Sequence, residues 1–374
     1  MGPPDGWENP SMIQVMKVYV VLVVCATYLV AQAPHEGNFV ISEFKFADGE
    51  RLAKLNLHYM TFGQPKRDDE GHVTNAVLIM HGTGGSGKQF LVPEFHDVLF
   101  QAGQLLDTSK YYIILPDDIG HGGSSKPSDG LRGHFPHYQY ADMVNAEYRL
   151  VTEGLHVDHL RLVMGTSMGC MHSWMWAERY PNRMDAVMPL ACLPVPIAGR
   201  NRMFRDMLMD SIRNDPMWKN GDYKDEPAGL TGAIYMLIIA GSAPIQMQKI
   251  ASTPRLADEY LARQVEQRRK TTDANDLLYA TASSRDYDPS KNLEKIQAPV
   301  MFVNSADDFI NPPELGIAER EIKRVKRGKF ILLPVSEQTH GHGTHTWAGV
   351  WKQYLAELLQ ESAATAEGKI PKTF

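Results

Sequence analysis

One serine in this sequence stands in a setting that turns a hydroxyl into a nucleophile. Ser167 lies between two glycines in the run Gly165-Thr166-Ser167-Met168-Gly169, after an apolar segment and before a segment compatible with a helix. Glycines flank such a serine because the chain turns sharply from strand to helix and leaves no room for Cβ atoms. The pattern predicts a Ser167 hydroxyl held above the edge of a sheet, where it can attack a carbonyl carbon.

A serine hydroxyl is a weak nucleophile, so a base and an acid that orients the base are expected downstream. We predict His342 as the base, because glycines flank it and it precedes the last predicted helix. The acid is expected in the loop at residues 305–312, where two carboxylates are adjacent. We favour Asp308, because the acid in such loops commonly lies four residues before a proline, here Pro312. We keep Asp307 as the alternative.

Two backbone N–H groups are expected to stabilise an oxyanion: that of Met168, at the start of the predicted helix, and that of Thr83. Thr83 belongs to the run His-Gly-Thr-Gly-Gly-Ser-Gly-Lys at residues 81–88. The same run fits the phosphate-binding pattern Gly-x-x-x-x-Gly-Lys, but Gln89 follows it where a Ser or Thr would bind Mg²⁺. The oxyanion interpretation is therefore favoured over nucleotide binding.

Several classes of ligand are disfavoured by composition and spacing. His340, His342 and His345 are close enough in sequence to suggest a metal site, but no cysteine or acidic residue accompanies them. We predict neither a metal nor an organic cofactor. The formal net charge of −6 and the lack of a basic stripe predict no nucleic-acid partner.

The predicted elements alternate between strand and helix, as is typical of a mostly parallel sheet covered by helices. Strands are predicted at residues 39–46, 52–62, 76–80, 111–116, 162–166, 186–190, 299–304 and 330–333, and core helices at 141–155, 170–180 and 347–360. The alternation lapses over residues 194–284, where helices are predicted at 202–213, 230–240 and 255–269. We interpret residues 194–284 as a helical cap inserted between core segments 34–193 and 285–374.

Residues 1–33 have the pattern of a secretory signal peptide. Lys17 precedes an apolar run at 18–30, and Ala31-Gln32-Ala33 provides a small-x-small cleavage site before Pro34. The run is too short for a stable membrane span, so none is expected after cleavage. A secreted or periplasmic protein is predicted.

The two cysteines that follow the predicted leader, Cys170 and Cys192, leave two alternatives open. An oxidising compartment would permit one disulfide bond. Both residues lie in apolar stretches, which is equally compatible with two buried thiols.

Further motifs extend over most of the chain after residue 33. They are Phe135-Pro136 with Asp142-Met143-Val144, Gly165 to Gly169, Asp215-Pro216-Met217-Trp218 with Gly221-Asp222-Tyr223, and Asp273-Ala274-Asn275 with Asp286-Tyr287. In these motifs the sequence resembles the homoserine O-acetyltransferase branch of the α/β-hydrolases. The resemblance implies the α/β-hydrolase fold, with a mostly parallel central sheet, helices on both faces and a helical cap. It also implies a Ser167–Asp308–His342 triad and a homodimer formed through the cap.

Two positions depart from the family's pattern. The family usually carries an arginine in the cap helix where this sequence has Met209, and an aspartate after the catalytic histidine where this sequence has Gly343. Without those charges the two ionic groups of a free amino acid would be buried without partners, which is costly. An exported protein would also meet little acetyl-CoA.

These observations predict an exported serine hydrolase that cleaves a carboxylic ester or related small acyl compound through an acyl-enzyme. The apolar character of the cap favours a hydrophobic acyl or alkyl group. The alternative is an acyltransferase that passes the acyl group to an alcohol. A third hypothesis, a non-catalytic binding protein on the same scaffold, is disfavoured by the intact set of Ser, Asp and His.

N-terminal sequencing tests the predicted leader. Acidic residues and prolines before Met16 are atypical of a signal peptide, so translation is expected to begin at Met12 or Met16. The protein recovered from a secreting host is expected to begin at Pro34, whereas a chain with Ala33→Arg, which removes the small residue at the cleavage site, is expected to keep the leader. A wild-type product that retains residues 18–30 contradicts this prediction.

Overall fold

The computed structural model describes residues 33–369, so the predicted leader lies outside the described residues apart from Ala33. The described residues contain an eight-stranded sheet with the order β1-β2-β4-β3-β5-β6-β7-β8. The strands are β1 (His35–Lys45), β2 (Arg51–Phe62), β3 (Ala76–Met80), β4 (Tyr112–Pro116), β5 (Leu162–Thr166), β6 (Val187–Leu190), β7 (Val300–Ser305) and β8 (Gly328–Leu333). Strands β1 and β2 are antiparallel to their neighbours, and the pairs from β4 to β8 are parallel.

Continuous apolar runs form the middle of this sheet. Every residue of β3, β4 and β5 is buried, as expected of parallel strands that are covered on both faces. Successive side chains of β3 point to opposite faces: Leu78 and Met80 join one hydrophobic cluster, and Val77 and Ile79 join the other. The sheet therefore separates two hydrophobic cores.

Helices cover both faces. The helices are α1 (Pro93–Leu99), α2 (Tyr140–Arg149), α3 (Met168–Arg179), α4 (Gly199–Arg213), α5 (Gly229–Ala240), α6 (Pro244–Ile250), α7 (Pro254–Thr271), α8 (Ala274–Ala282), α9 (Ile317–Glu321) and α10 (Ala348–Lys369). Trp174 of α3 belongs to one cluster, whereas Phe95 of α1 and Trp351 of α10 belong to the other. The predicted architecture, a mostly parallel sheet with helices on both faces, is confirmed.

Five helices, α4 to α8, lie between β6 and β7, within the range that the sequence predicts as a cap. Two of them, α6 and α8, were not expected, because α6 is short and α8 directly follows the long α7. The exact division into core and cap stays a prediction. At the end of the chain, α10 extends to Lys369 rather than residue 360, since its last turns are rich in alanine and glutamate, which favour helix.

Among residues 33–369, no single helix has the length and hydropathy needed to cross a membrane. Helices α5 and α6 reach those values only together, and they meet at an angle of 109°. Leu230, Ile234 and Ile238 of α5 are buried in the protein.

A disulfide bond joins Cys170, in the first turn of α3, to Cys192, which follows β6. Of the two alternatives left by the sequence, the structure therefore contains the bridge. The bond spans 22 residues, and closing a loop of that length is worth about 3 kcal/mol in the chain-entropy treatment. Because Cys170 follows Ser167 by three positions, the bridge fixes the beginning of the helix that carries the serine.

Candidate active site

The serine at the end of β5 has an unusual backbone conformation. Ser167 has φ 55° and ψ −107°, a region that non-glycine residues occupy only where surrounding structure imposes it. A Cβ at Gly165 would lie 2.2 Å from the Gly169 carbonyl oxygen, and a Cβ at Gly169 would lie 2.0 Å from the Met80 carbonyl oxygen. The two flanking glycines are therefore required by close approach of the backbone.

The histidine predicted as base reaches this serine. His342 lies in the 3-10 helix Gly341–Thr346, between β8 and α10. Its Nε2 is 2.8 Å from Ser167 Oγ, and its Nδ1 is 2.9 Å from Asp308 Oδ2. If Nδ1 carries the proton and donates it to Asp308, the Nε2 lone pair faces the serine hydroxyl. This is the geometry of a general base beside a nucleophile.

Asp308 is held in its ionised form. Burial alone would raise the pKa of its carboxyl, but His342 and the hydrogen bonds from Asn311 and Ile310 lower that pKa below its usual value. Asp308 Oδ1 accepts the Ile310 N–H at 2.8 Å, and Oδ2 accepts the Asn311 side-chain amide at 2.9 Å. The carboxylate is thus fixed in place and remains negatively charged.

The adjacent Asp307 binds the loop that carries His342 and not the imidazole. Its Oδ2 accepts the Thr339 hydroxyl at 2.9 Å and the Gly341 N–H at 3.0 Å, and its Oδ1 accepts the Ser305 hydroxyl. These contacts tie the loop that carries His342 to the end of β7. The structure therefore brings Asp308, and not the alternative Asp307, to the imidazole.

The other two histidines of this loop point elsewhere. His340 stacks on Trp347 with ring centroids 3.8 Å apart. Desolvation within the protein lowers the pKa of His345 to about 3, and its Nδ1 contacts the Thr346 hydroxyl. The ring nitrogens of His340, His342 and His345 therefore do not point to a common position where a metal ion could bind.

The loop after β3 lies directly beside the nucleophile. A Cβ at Gly82 would lie 3.4 Å from Ser167 Cβ. The Gly82 N–H donates to Gln89 Oε1 at 3.0 Å, and the His81 carbonyl oxygen accepts the Gly169 N–H at 2.9 Å. The loop is therefore locked to the first turn of α3.

Two backbone N–H groups next to Ser167 donate no hydrogen bond within the described residues. Within residues 33–369, neither the Thr83 N–H nor the Met168 N–H has a hydrogen-bond partner, so both are available to an oxyanion. By contrast, the N–H groups of Gly82, Gly85 and Gly87 are bonded to protein oxygens. A phosphate-binding loop would need such N–H groups for its ligand, so nucleotide binding is disfavoured here.

Ser167 and His342 open into a cavity of about 820 Å³. Most of its lining is apolar and comes from the segment after β6, from α5 and from the loop after β7: Leu193, Val195, Pro196, Ile197, Ile239, Phe309, Ile310, Pro312, Leu315 and Ile317. The volume is in the range of pockets that enclose drug-sized molecules. A substrate much larger than an acetyl ester can therefore be accommodated.

One polar residue of this cavity is not evident from sequence reasoning. Arg205 of α4 lines the cavity and is only 5% exposed. Its guanidinium donates to Asn201 Oδ1 at 3.0 Å and to Ser284 Oγ at 3.3 Å, and in the described part of the chain it has no carboxylate partner. A buried cation without a counter-ion is suited to bind an anionic group of a ligand.

The two positions that depart from the family's pattern do not line this cavity. Met209 is fully buried in a hydrophobic cluster, and Gly343 lines a different, smaller pocket. Arg205 lies four residues before Met209, on the same face of α4 one turn earlier. That spacing is the signal that could have identified Arg205.

Comparisons with known proteins agree on the kind of protein this chain resembles. The profile of a family described as "alpha/beta hydrolase fold" matches residues 75–332. A probable acyltransferase of Methanothermobacter thermautotrophicus is 27% identical over 288 residues, covering 74% of this chain and 84% of that protein. A homoserine O-acetyltransferase of Pelobacter propionicus is 28% identical over 345 residues, covering 82% of this chain and 91% of that protein.

Solved structures share the fold. Esterase E22 matches with a TM-score of 0.76 at 19% identity, covering 87% of this chain and 100% of that one. The homoserine O-acetyltransferase of Bacillus anthracis matches with a TM-score of 0.75 at 19% identity, covering 88% and 98%. An esterase and an O-acetyltransferase thus match this fold equally well.

Arg205 can be tested by ligand binding. Hexanoate combines an apolar chain with a carboxylate, so it is expected to raise the Tm of the wild-type protein in a thermal-shift titration, because it supplies the missing counter-ion. The rise is expected to be lost in Arg205→Met and partly kept in Arg205→Lys, which retains the charge but not the planar fork. Equal shifts in the wild type and Arg205→Met contradict the assignment.

Proposed function

The chain belongs to the α/β-hydrolase fold family, and we propose that it is an exported serine hydrolase that cleaves carboxylic esters of small molecules. It is an enzyme of this superfamily, whose members similar to it include esterases and O-acetyltransferases. The observation that carries the proposal is the chain of hydrogen bonds from Ser167 through His342 to Asp308 at the base of the cavity.

The first half of the reaction forms an acyl-enzyme. Ser167 Oγ attacks the carbonyl carbon of the ester while His342 Nε2 accepts the hydroxyl proton. The negative charge that develops on the carbonyl oxygen is stabilised by the Thr83 and Met168 N–H groups. The tetrahedral intermediate then collapses, and His342 returns the proton to the alcohol that leaves.

The second half releases the acid. Water attacks the acyl carbon of Ser167, His342 takes the proton from this water, and the same two N–H groups stabilise the second oxyanion. His342 then protonates Ser167 Oγ as the carboxylic acid leaves. Throughout, the Asp308 carboxylate keeps the imidazole in the required tautomer and stabilises the imidazolium that forms.

The lining of the cavity favours an ester with an apolar group and a negatively charged group. Its apolar walls favour a hydrophobic acyl or alkyl group, because burial of apolar surface is favourable by about 25 cal/mol per Å². Arg205 supports an additional negatively charged group on the substrate. An ester that carries both features is the substrate class we propose.

An acyltransferase is the second candidate. The curated relatives are named as a probable acyltransferase and homoserine O-acetyltransferases, and transfer proceeds through the same acyl-enzyme with an alcohol in place of water. Exclusion of water by the cap would separate the two outcomes. For homoserine as the alcohol, Arg205 offers a partner for the carboxylate, but neither Met209 nor Gly343 supplies charge for a second ionic group.

Export and assembly complete the proposal. The leader pattern at residues 1–33 supports a secreted or periplasmic protein, and a disulfide bond is compatible with such a compartment. Family resemblance supports a homodimer through the cap. No nucleic-acid partner is proposed.

A single assay separates the two candidates. The mature protein is given p-nitrophenyl acetate, butyrate and octanoate, each with and without homoserine or glycerol, and both nitrophenol and acylated alcohol are measured. We expect ester cleavage that does not respond to the acceptors and is faster with the longer acyl groups, because the cavity is large and apolar. Ser167→Ala is expected to lower the rate by roughly 10⁴-fold or more.

Ser173→Ala is the matched control for this assay. Ser173 lies in the same helix, and its hydroxyl donates to the Gly169 carbonyl oxygen rather than to the site, so the rate should stay close to that of the wild type. Acylated alcohol formed faster than free acid would establish the transferase instead. Full activity of Ser167→Ala would refute both candidates.

The adjacent aspartates provide a second test. Asp308→Asn is expected to lower kcat by roughly 10⁴-fold, because an amide N–H facing Nδ1 favours the wrong imidazole tautomer. Asp307→Asn should lower kcat by a much smaller factor, since Asp307 bonds to Ser305, Thr339 and Gly341 and not to the imidazole. Initial rates with one ester and labelling of Ser167 by a fluorophosphonate measure both effects. Equal losses in the two variants argue against Asp308 as the orienting acid.

A further inference from the structure

Three buried side chains that the proposed reaction does not use meet beneath the oxyanion loop. Asp118 follows β4, Glu147 belongs to α2 and His172 belongs to α3, and none is more than 2% exposed. His172 Nδ1 lies 2.8 Å from Glu147 Oε1 and 3.6 Å from Asp118 Oδ2. One potential ligand atom from each residue lies within 4.8 Å of the other two.

Within residues 33–369, no N–H or hydroxyl group donates to the Asp118 side chain, whose carboxyl faces the Glu147 carboxyl. Both of its carboxylate oxygens are buried and without a partner in the described residues. His81 Nε2 lies 3.7 Å from Asp118 Oδ2, but this nitrogen accepts the Asp118 N–H at 3.1 Å, while His81 Nδ1 contacts the Gly82 carbonyl oxygen. The neighbouring imidazole therefore presents a lone pair to the carboxylate and no proton. Leaving a buried carboxylate in this state is costly.

The other two members of the cluster also have few hydrogen-bond partners. His172 Nε2 is buried and without a partner in the described part of the chain. Among residues 33–369, the side-chain N–H donors to Glu147 are His172 and the Trp176 indole, whose nitrogen lies 2.6 Å from Glu147 Oε2. The indole is neutral, so it leaves the charge of this cluster unbalanced.

The charge of the cluster decides what can fill it. Within residues 33–369, no lysine or arginine forms an ion pair with Asp118 or Glu147. A proton shared by the two carboxyls would leave one buried negative charge. A divalent cation would leave none.

We propose that Asp118, Glu147 and His172 bind a divalent transition-metal ion that joins the loop after β4 to α2 and α3. One imidazole nitrogen with two carboxylate oxygens is a donor set that suits Zn²⁺ and related ions, whereas Mg²⁺ and Ca²⁺ prefer oxygen alone. With metal–ligand distances of about 2.1 Å, adjacent ligand atoms lie roughly 3 to 4 Å apart. The two separations from His172 Nδ1, 2.8 and 3.6 Å, require only small shifts.

The ion has a structural role in this proposal. The site is fully buried, so the ion enters as the chain folds, and its binding free energy adds to the stability of the folded state. His172 binds through Nδ1 with its proton on Nε2. The proposal does not depend on the reaction assigned to Ser167.

Refolding with Zn²⁺ as the probe tests this site. Full-length protein without an affinity tag is unfolded in guanidinium with EDTA, refolded with or without Zn²⁺, and dialysed. Elemental analysis is expected to find about one zinc ion per chain after refolding with Zn²⁺, together with a higher Tm than after refolding without it. Fluorophosphonate labelling of Ser167 in both samples reports the active site separately.

Matched variants locate the ion. Glu147→Gln and Asp118→Asn preserve shape but remove a ligand charge, and both are expected to abolish the retained zinc and its effect on Tm. Asp142→Asn is the control, because Asp142 is also a buried carboxylate of α2 but accepts the N–H groups of Ala47 and Gln139. This variant should keep the zinc.

Three results would overturn the proposal. Wild-type protein that retains no zinc and has the same Tm in both preparations indicates a shared proton instead. Zinc retained equally by the wild type, Glu147→Gln and Asp118→Asn places the ion elsewhere. Loss of zinc only in Asp142→Asn also places the ion elsewhere. If a variant fails to fold, the wild-type comparison still decides between metal and proton.

Discussion

The site depends on one backbone constraint, the conformation of Ser167. Holding this residue at φ 55° and ψ −107° costs on the order of 1–3 kcal/mol. The buried strand β5 before it and the buried face of α3 after it impose that conformation. The same turn exposes Oγ, leaves the Met168 N–H without a partner among residues 33–369 and lets the Gly169 N–H bond to the His81 carbonyl oxygen. One strained residue thus aligns the nucleophile, one oxyanion donor and the loop that carries the other.

The acid–base pair depends on two adjacent aspartates that contact different groups. Asp307 and Asp308 are adjacent, yet one binds the loop and the other binds the imidazole. Both follow β7, whose parallel pairing with β8 brings the loop after β8 alongside. The position of His342 is therefore set by Asp307 and its tautomer by Asp308.

The sequence predicts those features that depend on local pattern. The apolar runs of β3 and β5, the glycines around Ser167 and the order of Asp308 and His342 follow from spacing and strand–loop–helix context. The structure adds what depends on packing between distant segments. Arg205 is one of several arginines in α4, and only the fold shows which one is buried in the cavity. Likewise, Asp118 and Glu147 are 29 residues apart, and His172 lies a further 25 residues along the chain, so no local pattern could bring them together.

His81 connects the buried cluster to the oxyanion loop. Its Nε2 accepts the Asp118 N–H, its Nδ1 contacts the Gly82 carbonyl oxygen and its backbone oxygen accepts the Gly169 N–H. The two ring nitrogens of this imidazole are therefore both engaged, one by the loop after β4 and one by the loop after β3. Because Thr83 directly follows Gly82, the position of the Thr83 N–H beside Ser167 depends on the same imidazole that contacts the buried cluster.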